Sequence, residues 1–207
     1  MPLRIALVVV SYLLGSISFG LVIATRRGID LRAIGSGNIG ATNVGRALGK
    51  KAFVQVMLLD GLKGLLPTLA ARLALPDHDP WVGGVALAAV FGHAVPVWHG
   101  FRGGKSVATT AGVMLALEPW AGLAMAVTYA LLRKLTKISS IGSLVGTVVA
   151  LGVTAALQRT GPATWATLAI TVLVFVRHAD NLGRLVRGRE HEADEAPPPS
   201  GPAAKTP

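Results

Sequence analysis

Leu3 to Thr25, LRIALVVVSYLLGSISFGLVIAT, is the stretch that decides the class of fold. It carries a single charge, Arg4, and it is long enough for a membrane-spanning helix, which needs about 20 apolar residues. It is too long for a signal-peptide core and has no small-x-small cleavage site, so it is expected to remain as a span. The rest of the chain has the same character. Of 207 residues, 52% are hydrophobic and only 14% charged, which is a membrane composition. Mean hydropathy is +0.57. There is no cysteine, which excludes disulfides, thiolate catalysis and cysteine-based metal sites.

Six more apolar stretches follow, at roughly 52–75, 80–98, 106–117, 119–132, 141–157 and 162–176. Several fall short of a full span, so tilt or local bilayer thinning is expected. Glu118-Pro119 divides the fourth stretch from the fifth, and charge decides whether they count separately. Loop 26–51 holds six basic residues against one acid, Asp30. Segments 99–105, 133–137 and 177–189 are also basic. Segment 76–80 and the Glu118-Pro119 junction are acidic, and 158–161 has only Arg159. With seven spans, 16 of the 20 basic residues fall on one side. The sequence therefore predicts an all-α integral membrane protein with seven transmembrane helices, some short, N-terminus out and C-terminus in. Residues 1–190 form one membrane-embedded domain. Residues 191–207, acidic and then proline-rich, read as a disordered tail. The net charge of +10 points to anionic lipid headgroups or anionic substrates, not to nucleic acid, because there is no soluble basic domain.

The polar motifs gather on the basic side. Residues 35–46, GSGNIGATNVGR, hold four glycines, small polar side chains and one arginine. Glycine lets backbone approach a ligand, successive N–H groups form an anion nest, and arginine supplies a fork suited to phosphate. The pattern is neither a Walker A loop nor a Rossmann turn. Residues 92–105, GHAVPVWHGFRGGK, end in a Gly-Gly-Lys turn that opens the next helix, a second place for an anion. Asp60 and Lys63, three apart within a span, share a helix face and can neutralise each other. Ser143 offers a hydroxyl near the start of the sixth stretch. In 177–190, His178 and Asn181 share a face if the segment is helical, with Arg184 beside Asn181.

In this order the motifs resemble the bacterial acylphosphate:glycerol-3-phosphate acyltransferase family. The resemblance runs from Gly15 to Glu190. It is carried by Gly15–Gly20, Gly35–Arg46, Asp60-Gly-Leu-Lys-Gly64, Gly92-His93 through Pro96, Phe101–Thr109, Ser139–Ser143 and His178-x-x-Asn181-x-x-Arg184-Leu185-x-x-Gly188-x-Glu190. Two positions depart from the family pattern: Ser18 stands where proline is usual, and Gly183 where a larger residue is usual. The resemblance implies a bacterial inner-membrane enzyme with its active site on the cytoplasmic face. Its substrates would be glycerol 3-phosphate and acyl phosphate, with the lipid bilayer as its surroundings and a monomer as the functional unit. The residues expected to carry catalysis are Ser36, Lys105, His178 and Asn181. Those expected to bind substrate or phosphate are Gly37, Asn38, Gly40, Thr42, Asn43, Arg46, Gly103, Gly104 and Ser143. No cofactor and no metal are expected, because the acyl phosphate is already activated. The competing reading is a membrane transporter for small phosphorylated anions; no inverted repeat supports it.

Overall fold

The computed structural model describes residues 1–190, and every regular element among them is helical. The predicted tail lies outside the described residues. The helices are α1 (Pro2–Gly15), α2 (Phe19–Thr25), α3 (Ala41–Leu48), α4 (Lys50–Ala74), α5 (Pro80–Ala94), α6 (Val107–Leu117), α7 (Pro119–Thr136), α8 (Ser139–Gln158), α9 (Pro162–Arg177) and α10 (Ala179–Val186). Short 3-10 turns lie at Leu31–Ala33 and Val97–His99. Proline opens α5, α7 and α9, where its fixed φ suits a first turn and its missing N–H has no partner to lose.

Each predicted apolar stretch becomes helix, but not each is a full span. Four segments are long and apolar enough to cross a bilayer: Pro2–Thr25, Ala41–Ala74, Pro80–His99 and Ser139–Gln158. The pair α9 and α10, bent by 61°, makes a fifth if taken as one span. Helix α6 has only 11 residues. Glu118, extended at φ −146° and ψ 93°, separates it from α7, which folds back so that Gly122 lies against the Leu115 backbone. The Glu-Pro junction thus makes two helices instead of one kinked helix.

The first span is broken. Ser18 is extended (φ −99°, ψ 94°), so the chain leaves the helix there without a proline to end it. The break frees backbone groups inside an apolar layer, where each must find a partner. Helix α4 supplies them. Lys63 donates to the Ile17 carbonyl, the Phe19 N–H faces Asp60, and the two side chains pair at 2.8 Å. The ion pair expected from the spacing therefore closes a break in a neighbouring helix.

Helix α5 is the centre of the bundle. Val85, Ala86, Ala89 and Val90 have no solvent exposure. Without a hydrophobic force between helices in lipid, close packing depends on small residues. A Cβ on Gly15 would fall 2.2 Å from the Ala89 carbonyl oxygen, and one on Gly112 would fall 1.9 Å from that of Gly61. These contacts hold α1 on α5 and α4 on α6 backbone to backbone. Exposed Trp98 lies at the basic end of the bundle, and exposed Trp120 and Trp165 start helices at the other end, the positions interfacial tryptophans take.

Candidate active site

A cavity of about 400 Å³ opens among α3, α4, α6, α7, α8 and the α9–α10 bend. One part is apolar, with Phe53, Met57, Ala111, Met125, Ala126 and Ala130 on its wall. The other is polar and collects Arg46, Lys105 and Arg184 with His178, Asn181 and the serines of α8.

The first motif enters the cavity as a loop followed by a helix. Asp30 accepts the Arg32 N–H and starts the turn at Leu31–Ala33, and Gly35 and Gly37 take positive φ (52° and 66°), which suits glycine. Asn43, buried on α3, donates to the carbonyls of Leu31 and Ile34 at 3.0 Å each. Its amide N–H groups brace the loop, so they are not available to a ligand. Asn38 accepts the Gly40 N–H at 3.2 Å and shapes the entry to α3. Thr42 and Arg46, one helical turn apart, share a face toward the cavity with Gly40. Ser36 stands exposed at the mouth, and no histidine or carboxylate among the described residues bonds its hydroxyl. Gly37 is not on the wall.

The Gly-Gly-Lys turn departs from its expected role. Gly103 and Gly104 do not line the cavity. The Gly104 N–H donates to the His93 carbonyl at 3.1 Å. Arg177 donates to the Gly104 and Gly103 carbonyls at 3.0 and 2.8 Å. A Cβ on Gly103 would fall 2.1 Å from the His93 carbonyl oxygen, and one on Gly104 would fall 2.3 Å from His93 Nε2. The glycines are there because the backbone must lie flat against the end of α5. The Gly104 N–H is thus taken by the fold, and the clamp fixes the turn just before Lys105, whose side chain lines the cavity. Burial, then the charge of Arg184, lowers the Lys105 pKa to about 8, with Glu190 opposing.

His178 closes the far wall between α9 and α10. Its Nδ1 lies 2.8 Å from the Val174 carbonyl, which can only accept, so Nδ1 carries the proton and Nε2 keeps its lone pair. Burial holds its pKa to about 4, so the ring is neutral at physiological pH. Asn181 donates to Glu190, and its buried Oδ1 has no hydrogen-bond partner among the described residues. Glu190 also accepts from Ser140 and Arg184 at 2.8 Å each. Burial alone would raise the Glu190 pKa, but these three bonds outweigh it and leave it below the usual carboxylate range. Ser143 lines the cavity but donates to the Ser139 carbonyl at 2.9 Å, so toward a ligand it can only accept.

The sequence reading missed Tyr129 on the wall and the bracing role of Glu190. Tyr129 lies in an apolar stretch and gave no signal. Glu190 was visible only as the last residue of a motif.

This geometry can hold one or more phosphates with cations, accept hydrogen bonds from hydroxyls, and house an apolar chain. Residues 5–188 match the family model described as glycerol-3-phosphate acyltransferase. The glycerol-3-phosphate acyltransferase of Anaeromyxobacter dehalogenans is 52% identical over 89% of this chain and 94% of its own length. That of Geobacter sulfurreducens is 42% identical, covering 91% of this chain and 96% of its own. Among solved structures, PlsY (YgiH), an integral membrane glycerol 3-phosphate acyltransferase, in its glycerol 3-phosphate form superposes with a TM-score of 0.88. It is 41% identical and covers 91% of this chain and 94% of that one. Its lysophosphatidic acid form gives 0.85 at 40% identity, with the same coverage.

Proposed function

The chain belongs to the glycerol-3-phosphate acyltransferase family, and from that premise we propose that it moves a fatty acyl group from acyl phosphate to the sn-1 hydroxyl of glycerol 3-phosphate, giving lysophosphatidate and phosphate. One observation carries the reading: a single cavity joins the cations Arg46, Lys105 and Arg184 to an apolar wall formed by α4, α6 and α7. A phosphorylated polyol and a lipid chain need both. The transporter alternative loses its support, because the family is one of acyltransferases.

Acyl phosphate is a mixed anhydride with a good leaving group, so no covalent enzyme intermediate is required. The reading assigns the phosphates to Arg46, Lys105 and Arg184. It assigns the glycerol hydroxyls to two neutral acceptors, His178 Nε2 and Asn181 Oδ1. The C1 oxygen attacks the carbonyl carbon, the tetrahedral centre collapses, and the carbon–oxygen bond to phosphate breaks. The hydroxyl proton has two possible takers. A histidine held to about 4 is a weak base, and a phosphate oxygen, with a second pKa of about 6, is a stronger one. The proton therefore goes to a substrate phosphate, and His178 orients the hydroxyl by accepting its hydrogen bond. Ser36 acts as a donor at the mouth, since among the described residues no base bonds its hydroxyl to activate it as an acyl acceptor. Metal is not part of this mechanism, because arginine and lysine balance the phosphate charge.

The proposal extends to seven spans, N-terminus out and C-terminus in, within a bacterial inner membrane. It is supported by the grouping of the basic loops with the cavity mouth and of Asp77, Asp79 and Glu118 with the opposite end. A monomer suffices, since one chain supplies all the walls. The test is inorganic phosphate release by purified protein. Release is expected only with both acyl phosphate and glycerol 3-phosphate. Equal transfer from acyl-CoA, or release independent of glycerol 3-phosphate, would contradict the proposed donor and acceptor.

A further inference from the structure

Three hydroxyls from three helices form a chain along the cavity wall. Tyr129 on α7 lies 2.9 Å from Ser139 at the start of α8, and Ser139 lies 3.2 Å from Thr42 on α3. The two bonds account for the hydrogen bonding of all three hydroxyls among the described residues. The tyrosine ring is not free to leave, because Gly142 of α8 packs against it with a would-be Cβ 3.2 Å from Cδ2.

Three hydroxyls carry three protons, and two bonds consume two. One O–H is therefore left over, and which one depends on the direction of the two bonds. Phenol, with a pKa near 10, is a better donor than an aliphatic alcohol. Phenol acidity favours Tyr129 donating to Ser139; with Ser139 donating in turn to Thr42, the order the relay requires, the surplus proton is that of Thr42. Each bond polarises the next, so Thr42 is a stronger donor than an isolated threonine. Its position matters too. Tyr129 neighbours Met125, Ala126 and Ala130 of the apolar wall, and Thr42 neighbours Arg46. The chain thus runs from where a lipid tail lies to where a phosphate lies. An acyl donor carries its reacting carbonyl between chain and phosphate, so a donor bound this way would have it at that border.

We propose that the Tyr129–Ser139–Thr42 relay supplies a polarised hydroxyl donor to the acyl carbonyl oxygen as it becomes an oxyanion, with Thr42 as the contacting group and Tyr129 as a positioning residue. This rests on the acyltransferase reading above. Hydrogen bonds aimed at developing charge act on the chemical step, so the effect belongs in kcat and not in the KM for glycerol 3-phosphate.

The test is a double-mutant cycle with Tyr129→Phe and Thr42→Val, both close in shape to the originals, measured by initial rates in the purified membrane enzyme. Thr42→Val is expected to lower kcat about 100-fold, the scale of a lost oxyanion donor. Tyr129→Phe is expected to lower it about tenfold, with the KM for glycerol 3-phosphate changed less than twofold. The double variant should be no slower than Thr42→Val alone, because Tyr129 acts only through Thr42. Multiplying single effects, or a Tyr129→Phe variant within twofold of wild type, overturns the relay. Ser139→Ala, which cuts the chain in the middle without touching either end, should match Tyr129→Phe if either end variant folds poorly; wild-type kcat there also overturns it. The cycle is run with acyl phosphate and, if wild type proves to use acyl-CoA instead, with that donor. The carbonyl is common to both, so failure of the donor assignment and failure of the relay give different results.

Discussion

Lys105 gives the sharpest quantitative prediction. Nothing among the described residues forms a hydrogen bond to its ammonium group, burial and Arg184 lower its pKa to about 8, and it faces the cavity beside Arg46 and Arg184. The sign follows directly. The pKa lies below that of free lysine, so the side chain is cationic below about pH 8 and neutral above it. If the charge holds a substrate phosphate, kcat/KM for glycerol 3-phosphate is level from pH 7 to near 8. It then falls about tenfold per pH unit, a change of about 1.4 kcal/mol for each. Lys105→Ala removes a charge-assisted contact worth about 1.5–3 kcal/mol, a loss of about 10- to 150-fold at pH 7. Lys105→Arg keeps its charge throughout this range and should lose the alkaline limb while retaining part of the activity. The assay is initial phosphate release at dilute glycerol 3-phosphate, between pH 7 and 9.5. A flat wild-type profile, or an alkaline limb unchanged in Lys105→Arg, would refute the assignment.

Gly103→Ala should lower kcat/KM at least tenfold by forcing the turn off His93. Arg177→Ala, which removes the clamp on the same two carbonyls without lining the cavity, should do so in part; wild-type rates in both would show that the turn does not aim Lys105. For topology, single cysteines at positions 78 and 140 are expected to label from opposite sides of sealed vesicles in a chain that has no native cysteine. Labelling of both from one side would rule out the seven-span arrangement.

What was legible in the sequence is what depends on local spacing. The Asp60–Lys63 pairing follows from positions three apart on a helix, and the division of α6 from α7 follows from Glu118-Pro119. The polar motifs marked the cavity wall at Ser36, Asn38, Gly40, Thr42, Arg46, Lys105, His178 and Asn181. What was not legible is how each polar group spends its hydrogen bonds. Asn43, Gly104 and Ser143 look like ligand donors, yet their N–H or O–H groups serve backbone carbonyls of their own fold. Those partners lie 12, 11 and 4 residues away, and only the folded backbone selects them. Tyr129 was hidden for a different reason: one hydroxyl in an apolar helix reads as packing until a neighbouring helix brings Ser139 beside it. Gly183, the departure in the last motif, has open space among the described residues where a side chain would go, so nothing in their packing requires a larger residue there.

The central claim is direct transfer in a ternary complex, and two-substrate initial-rate kinetics test it most directly. Acyl phosphate and glycerol 3-phosphate are each varied at several fixed levels of the other, and phosphate release is followed in the presence of EDTA. The account predicts intersecting double-reciprocal lines, full activity with the chelator, and no acyl label left on the protein after a quench. Parallel lines together with acyl label recovered on Ser36 would contradict it, and activity lost to EDTA and restored by Mg²⁺ would contradict its metal-free chemistry.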